Sequence, residues 1–309
     1  MRIRSFRYAL SSGVAAAFLA ACGGSQAPIA VPGAIPQSIG SGALRLQPTL
    51  PERVPHATSE VQYISNYYAN TILEFDYPKG ESPIGAIAGY GGGLCTKGAR
   101  TFWVVTGTEA AEFKVGGKSP IRVLKPAEGP CAIDPVNGDL ASLTSGGVII
   151  FRHARGEGKV YSGMGLSEAY FDGYDGSGNL FLDGFNNNDA VELVELPKGS
   201  STFQTITTSN TVEFPGSVQW DGTYLTVFDQ LANALYQYTI RGTKAILKGT
   251  VSLGSSDCVQ TWIAQSYIYC ADAGNNDGEV YKYPAGGSSV ATLTGRFDLP
   301  IGVVSLRLR

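Results

Sequence analysis

The chain has 309 residues, of which 43% are hydrophobic and only 16% charged, with 40 glycines, 16 tyrosines and a formal net charge of -3. Lys and Arg total 23 against 26 for Asp and Glu, whereas a nucleic-acid-binding protein is expected to carry a basic patch or excess. Composition therefore excludes nucleic acid as an expected partner and is typical of a secreted, β-rich protein. The length allows one large domain or two.

The first 21 residues have the pattern of an export signal. Arg2, Arg4 and Arg7 precede an apolar run of 14 residues, which is too short to span a bilayer. The run ends in Leu19-Ala20-Ala21-Cys22 and resembles the lipobox of bacterial lipoproteins, in which the cysteine is lipidated. The resemblance implies a lipoprotein signal peptide over residues 1–21 and a lipid anchor on Cys22. An ordinary signal peptide followed by a stray cysteine is the alternative.

The resemblance also bears on location and on the segment that follows. Gly23 stands directly after Cys22, where an Asp often marks inner-membrane retention, so the outer membrane or cell surface is favoured. Residues 22–58 are rich in Pro, Gly, Ser and Ala and are predicted to form a flexible tether with a reach on the order of 30 Å. The folded domain is assigned to residues 59–309.

One pattern of strand, polar loop, strand and glycine recurs six times in that domain. The glycines that end the copies are 37 to 44 residues apart: Gly80, Gly117, Gly156, Gly199, Gly242 and Gly286. This spacing is close to the length of a four-stranded propeller blade. Residues 131–139, 170–179 and 218–223 contain the Asn-Gly or Asp-Gly turns of hairpins, and segments such as 160–162 and 245–247 are predicted to be outer fourth strands.

The two ends of the domain predict how it closes. The first copy lacks an inner strand before Val61, and residues 301–306 stand where the next inner strand would fall. The sequence therefore predicts an all-β, six-bladed β-propeller with four antiparallel strands per blade, in which the C-terminal strand completes blade one. Residues 61–309 resemble the NHL-like and lactonase-like propellers, an architecture that hosts lactonases, lyases, cyclases and binding modules.

Five cysteines suit an exported protein if Cys22 is lipidated and the other four pair. Cys95 and Cys131 both fall at the start of an inner strand in neighbouring blades. Cys258 and Cys270 are 12 residues apart and flank the turn of one hairpin, so they pair if they lie opposite one another. Two disulfides are predicted, Cys95–Cys131 and Cys258–Cys270, with four free buried thiols as the alternative.

Acidic and amide residues collect in loops that are predicted to meet at one mouth of the channel. A carboxylate precedes the inner strand in five blades, and the loops after the second strands add further oxygens; together these residues are called the acidic mouth: Glu128, Glu168, Glu213, Asp257, Asp298, Asp183, Asn186, Asp272, Asn275 and Asn276. Such oxygens suit Ca²⁺, which the lactonase-like propellers use to polarise an ester carbonyl. Ordinary turn chemistry is the alternative, because Asp and Asn favour turns.

Other candidate residues carry weaker signals. His56 and His153 are the only histidines, so a site with two or three histidine ligands is not expected, and His153 is predicted to lie in a third strand. Residues 172–179 partly match the pattern of a calcium-binding loop. However, Asp183 stands where an EF-hand has its Glu, so a hairpin turn is favoured. Tyr67 and Tyr68 are predicted to contact a ligand from a loop, whereas the three tryptophans are expected in the core.

These features lead to two hypotheses about function. The first is a monomeric, lipid-anchored extracytoplasmic module that binds a small molecule, a glycan or an envelope protein at the bacterial envelope, and it rests on a complete scaffold without an assembled catalytic set. No cofactor is expected for it. The alternative is a calcium-dependent lactonase-like hydrolase of the gluconolactonase type, with its metal at the acidic mouth.

Overall fold

The computed structural model describes residues 60–98, 100–254 and 257–307. Over this part of the chain there are 24 strands in five hydrogen-bonded sheets and one short 3-10 helix, Arg152–Ala154. The predicted signal peptide, Cys22, His56 and the tether lie outside the described residues. Among the described residues, no helix is long and apolar enough to cross a membrane.

The first three sheets have four strands each. Sheet I contains β1 (Glu60–Asn66), β2 (Thr71–Phe75), β3 (Gly85–Ala88) and the C-terminal β24 (Pro300–Arg307). Sheet II contains β4 (Gly93–Cys95), β5 (Thr101–Val105), β6 (Ala110–Lys114) and β7 (Arg122–Leu124). Sheet III contains β8 (Cys131–Ile133), β9 (Leu140–Thr144), β10 (Gly147–Phe151) and β11 (Lys159–Tyr161).

Sheets IV and V complete the described chain. The first half of sheet IV contains β12 (Leu166–Tyr174), β13 (Leu180–Asn186), β14 (Val191–Leu196) and β15 (Gln204–Thr208). Its second half contains β16 (Pro215–Trp220), β17 (Leu225–Asp229), β18 (Ala234–Arg241) and β19 (Lys244–Ser252). Sheet V contains β20 (Cys258–Ala264), β21 (Tyr267–Asp272), β22 (Asp277–Lys282) and β23 (Gly286–Leu293).

Strand pairing is antiparallel within each set of four. The C-terminal β24 pairs with β1 from Glu60 opposite Arg307 to Asn66 opposite Pro300, so the two ends of the described chain share one sheet. The strand pairing between the halves of sheet IV is a short parallel contact between β15 and β19, in which Thr207 pairs with Lys244. Sheet IV is thus two four-stranded sets connected at their outer edges.

Aspartates set the hairpin turns after β8, β12 and β16. The Oδ1 atom of Asp175 accepts the N–H groups of Ser177 and Asn179, both at 2.9 Å, and Asp134 and Asp221 form similar turns. A glycine with positive φ lies in each turn, such as Gly178 at 88°, because that conformation is strained for residues with a Cβ. The hairpin turns predicted from Asn-Gly and Asp-Gly are confirmed.

The core consists of separate apolar clusters between neighbouring four-stranded sets. Between sheets I and II, for example, the rings of Tyr63 and Phe102 stack with their centroids 4.1 Å apart, and both side chains are fully buried. Similar clusters join each later set to the next, and another joins sheet V to sheet I through Tyr269 and Val303. Burial of large aromatic side chains against both neighbours is the main stabilising term of this arrangement.

Six strands, called the innermost strands, line the middle of the molecule: β4, β8, β12, β16, β20 and β24. Each contacts the next, and β24 contacts both β4 and β20. The Gln260 side chain ties three of them together, because its amide nitrogen donates to the carbonyl oxygen of Leu94 (2.8 Å) and its oxygen accepts the N–H of Val303 (3.0 Å). At Gly173 the chains come so close that a Cβ would meet the carbonyl oxygen of Val218 at 2.2 Å.

Two local predictions are wrong, and one condition stated for a disulfide is not met. His153 lies in the 3-10 helix with a positive φ of 51°, because the chain turns there before the outer strand β11. Asp172 belongs to β12 and not to a turn, since the hairpin turn begins only at Asp175. Cys258 and Cys270 are not directly opposite: a bulge at Val259 places Cys258 opposite Asp272 and Thr261 opposite Cys270.

Candidate functional site

A cavity of about 150 Å³ lies between the carboxyl ends of five innermost strands, β4, β8, β12, β16 and β20. It is called the central cavity. Its walls are formed by residues 95–97, 130–133, 135, 171–174, 217–220 and 260–262. The lining comes from the last residues of β4, β12 and β16, from all of β8 and from the middle of β20, so the site is built from segments that the surrounding sheets hold in place. Concave sites that combine aromatic and a few polar groups are typical of small-molecule binding.

Asp172 is the exceptional residue of the central cavity. It is only 5% exposed, and within the described part of the protein neither of its carboxylate oxygens has a hydrogen-bond partner. Burial raises the pKa of Asp172 well above its usual range, and the nearby charge of Asp183 raises it further. A buried polar group without a partner is costly and uncommon in native proteins, so it calls for a functional explanation.

The other polar side chains of the cavity wall already have partners. The hydroxyl groups of Ser217 and Thr261 hydrogen-bond each other at 2.9 Å, and Ser217 Oγ also accepts the main-chain N–H of Thr261. The Gln219 amide makes two bonds with the main chain of Ile263, at 2.7 and 2.9 Å. These side chains join neighbouring innermost strands, and their hydrogen-bonding capacity is largely used within the protein.

Two of the three tryptophans line the central cavity and also pack against core clusters. Trp220 and Trp262 are half-buried in its wall. Trp103 is buried in sheet II, with the guanidinium of Arg122 6.0 Å from its ring centroid. All three tryptophans contact core clusters, as expected, and two of them also line the cavity. An indole at the end of an innermost strand offers a flat, partly accessible surface on which a ligand can stack.

The acidic mouth lies at the opposite, amino ends of the innermost strands. Glu128 accepts the main-chain N–H of Ser145 at 2.7 Å and lines a second cavity of about 30 Å³ together with Tyr67. Glu168 accepts a hydrogen bond from the Tyr170 hydroxyl, and burial together with this negative charge raises the pKa of Tyr170.

The remaining carboxylates before the inner strands, Glu213, Asp257 and Asp298, are exposed. The main chains of Glu213 and Asp298 are nevertheless fixed by polar side chains at strand ends. Asp229 Oδ2 accepts the N–H of Glu213 at 2.7 Å, and Asn66 Oδ1 accepts the N–H of Asp298 at 3.0 Å. This network therefore places the main chain at these positions while their carboxylates face solvent.

Asp183 is a buried strand residue and not part of an oxygen-rich loop. Its carboxylate accepts the N–H of Phe171 at 3.0 Å and that of Gly216 at 2.9 Å, and so joins β12, β13 and β16. Despite these bonds, burial raises its pKa well above the usual range. Its position in β13, three residues before the end of that strand, explains why it does not reach the loop assigned to it from the sequence.

The other predicted loop oxygens are engaged locally. Asp272 is buried at the end of β21, where Oδ1 accepts the N–H of Asn275 at 2.9 Å. Asn186 Oδ1 accepts the N–H of Asn188, and Asn276 Oδ1 accepts the N–H of Leu299. Among the described residues, no group of three or more His, Cys, Asp or Glu side chains is placed to hold a metal ion. The structure therefore favours turn and loop stabilisation as the role of these oxygens.

Tyr67 and Tyr68 lie in the turn between β1 and β2. Their rings meet edge to face with centroids 5.7 Å apart, and Tyr68 is 53% exposed. The N–H of Tyr67 donates to the carbonyl of Leu299 at 3.0 Å, which links this turn to the segment before β24. Their role in contact with a ligand stays a prediction.

Both predicted disulfides are confirmed. Cys95–Cys131 joins the innermost strands β4 and β8 and lines the central cavity. Cys258–Cys270 closes the hairpin of β20 and β21, with 5.4 Å between the Cα atoms. The bulge at Val259 lets the second pair meet although the residues are not register partners.

Sequence reasoning missed the central cavity. Its one available signal was Asp172 itself, a carboxylate inside the aromatic stretch Tyr170-Phe171-Asp172-Gly173-Tyr174. A charged residue within a strand that is apolar on both sides is unusual, because charges are rarely buried without a partner.

Comparison with known proteins reveals the architecture. No protein-family model matches the sequence, and no curated protein matches it. Solved structures do match: a chain of a nidogen/laminin complex has a TM-score of 0.59 at 12% identity, covering 80% of this chain and 98% of that one. A protein of unknown function from Bacteroides caccae has a TM-score of 0.53 at 12% identity, covering 80% and 99%.

A third solved structure is itself a β-propeller domain. The β-propeller domain of Cps50 (Swd1) from Myceliophteria thermophila has a TM-score of 0.50 at 11% identity and covers 78% of this chain and 88% of that one. The chain is a β-propeller. At these identities the likeness extends to the fold alone, because one fold hosts many unrelated functions.

Proposed function

We propose that the protein is an exported, lipid-anchored β-propeller that binds a small ligand in its central cavity. The observation that carries this proposal is the cavity itself, which joins two tryptophans and a buried, unpartnered carboxyl at the middle of the fold. Five innermost strands contribute to its walls, so a ligand there would contact most of the propeller at once. Concave sites with aromatic walls and a few polar groups are typical of small-molecule binding.

The proposal includes six blades of four strands each. Counting the two halves of sheet IV as separate blades gives six sets, and the pairing of β24 with β1 supports closure of the first blade by the C-terminal strand. Closure of this kind leaves short, protected edges and fixes the chain ends together. It would also hold the walls of the central cavity rigid before a ligand arrives.

Ligand binding is tested by a fluorescence and thermal-shift screen of the purified protein. A library grouped into anionic, neutral and cationic small molecules should contain compounds that change tryptophan emission and raise the melting temperature. Pro135→Trp, at an exposed position in the cavity wall, should obstruct the entrance and weaken binding at least tenfold. The matched control is Val136→Trp at the neighbouring exposed position, which does not line the cavity. Binding that survives Pro135→Trp unchanged would place the ligand elsewhere.

The cellular location is proposed from the sequence. The basic segment, the short apolar run and Cys22 support export and lipidation, with the outer membrane or cell surface favoured by Gly23. Cys22→Ser should release the protein from the membrane fraction without changing the melting temperature of the purified domain. Retention of the variant in that fraction would argue against the lipid anchor.

The calcium-dependent hydrolase remains a separate prediction and is not adopted. Its proposed ligands Asp183, Asp272 and Asn276 are engaged by main-chain groups or by local loop partners. Calorimetric titration with Ca²⁺ tests this choice: a binding isotherm accompanied by calcium-dependent hydrolysis of simple lactones would restore the hydrolase hypothesis.

A further inference from the structure

We infer that the central cavity binds a small organic cation, with the carboxylate of Asp172 as its counter-ion. This inference rests on the proposed ligand site and specifies its chemistry. It starts from Asp172, whose two carboxylate oxygens have no hydrogen-bond partner in the described chain although the residue is 95% buried, as its 5% exposure shows. A buried carboxyl group stays ionised only when a cation or hydrogen-bond donors compensate its charge, and otherwise it holds a proton that a bound cation can displace.

The cavity wall offers a cation a second favourable surface. The indoles of Trp220 and Trp262 line the cavity, and the face of an indole attracts ammonium and guanidinium groups. The ring of Tyr174 also lines it. A carboxylate combined with aromatic faces matches an organic cation better than it matches a neutral sugar or an anion.

The competing polar groups do not favour another ligand. Ser217, Gln219 and Gln260 already bond to neighbouring strands, so few donors are left for an anion. Lys97 lines the cavity as well, but it is exposed, and solvent screens an exposed charge far more than a buried one. The buried carboxylate therefore dominates the choice of ligand charge.

Size restricts the ligand further. A volume of about 150 Å³ accommodates roughly ten water-sized spheres at about 15 Å³ each. The ligand is therefore a compact ammonium or guanidinium compound rather than an oligosaccharide or peptide. The carboxylate oxygens of Asp172 are covered by surrounding atoms, so its side chain must rotate toward the cavity when the cation enters.

Isothermal titration of the purified protein with methylguanidinium and with its neutral isostere N-methylurea tests the inference. Methylguanidinium should bind with a dissociation constant of about 1 mM or lower and change tryptophan emission, while N-methylurea should bind at least tenfold more weakly. Asp172→Asn should weaken methylguanidinium binding at least tenfold. Glu213→Gln is the matched control, because it removes one exposed carboxylate at the other end of the strands and should leave the affinity unchanged.

Each contrary outcome has a distinct meaning. Equal binding of methylguanidinium and N-methylurea, or unchanged binding by Asp172→Asn, would overturn the role of the carboxylate. Ca²⁺ or K⁺ binding that depends on Asp172, in place of methylguanidinium binding, would overturn the organic class of ligand. Failure of methylguanidinium to bind also rejects the inference. Neutral or anionic compounds that bind, and whose binding Pro135→Trp blocks, would leave the proposed function standing.

Discussion

Asp229 ends β17 beside the amino end of the innermost strand β16, and it accepts hydrogen bonds from four main-chain N–H groups. In contrast, neither carboxylate oxygen of Asp172, near the carboxyl end of the neighbouring innermost strand β12, has a partner in the described chain. Both side chains are buried. The first carboxylate compensates main-chain groups that would otherwise lose water, so its role is structural. The second adds no such bond, and its retention fits a ligand site. The number of hydrogen-bond partners therefore distinguishes a structural aspartate from a candidate ligand-binding one, whereas the residue type does not.

The largest expected effect comes from removing the structural carboxylate. Asp229→Ala leaves the N–H groups of Glu213, Phe214, Leu231 and Ala232 without their acceptor, at distances of 2.7 to 3.2 Å in the native protein. We expect a loss of about 4 kcal/mol in the free energy of unfolding, measured by urea denaturation. Glu213→Ala, an exposed control, should change it by less than about 0.5 kcal/mol. A loss below about 1 kcal/mol for Asp229→Ala would show that water replaces the carboxylate.

Removing either disulfide should have the next largest effect. Each double Cys→Ala variant is expected to lose about 3 kcal/mol, with the larger loss for Cys95–Cys131 because it closes a loop of 36 residues rather than 12. The two bridges also lie at different places along the innermost strands. Only loss of Cys95–Cys131, which lines the central cavity, should alter tryptophan emission on ligand addition. Equal effects of both variants on ligand binding would contradict the assignment of the site to the cavity end.

The repeat and its turns could be predicted from the sequence because they depend on local chemistry. The spacing of glycines and the presence of Asp residues such as Asp175 indicate turns, because a turn depends on only a few neighbouring residues. The pairing of Cys95 with Cys131 followed from equivalent places in neighbouring repeats, and that of Cys258 with Cys270 from their positions on either side of one hairpin turn.

The side to which a strand residue points could not be predicted in the same way. Bulges between Ala169 and Phe171 in β12, and between Cys258 and Gln260 in β20, change the alternation of side chains. A shift of one residue moves a side chain to the other face, so Asp172 could not be assigned to the cavity nor Asp183 to its bonds with β16. The oxygen-rich loops gave the stronger signal in sequence, although the structure shows that many of their oxygens are engaged by main-chain groups.

Asp172→Asn should stabilise the protein in the absence of ligand. Burial raises the pKa of Asp172 in the folded state, so the folded protein binds a proton more strongly than the unfolded chain does. Stability of the native protein therefore falls as pH rises above about 4, the ordinary pKa of Asp, until the folded-state pKa is reached. The Asn variant lacks this loss and should be more stable by about 2 kcal/mol at pH 8. Thermal unfolding from pH 4 to 8 measures the difference; a less stable variant would reveal a structural role for the carboxylate.

The smallest effect is expected at Asp277, which lies directly opposite Asp272 at the start of β22. Burial, the charge of Asp272 and that of Glu279 raise the pKa of Asp277 to about 6. Its folded-state pKa is above the unfolded value, so its contribution to stability is lost between about pH 4 and pH 6. Asp277→Asn should be as stable as the native protein at pH 4 and more stable by about 1 kcal/mol at pH 7.5, after allowance for solvent screening of this half-buried group.

The control for Asp277→Asn is Asp298→Asn, which removes an exposed carboxylate at the same end of the molecule. The stability of this control should differ from that of the native protein by the same amount at every pH. Neither variant should alter binding of methylguanidinium, because both positions lie outside the central cavity. A change in affinity in Asp277→Asn alone would mean that the two ends of the innermost strands are energetically coupled. The acidic residues at the amino ends of the innermost strands and Asp172 near the other end would then act as one continuous acidic channel.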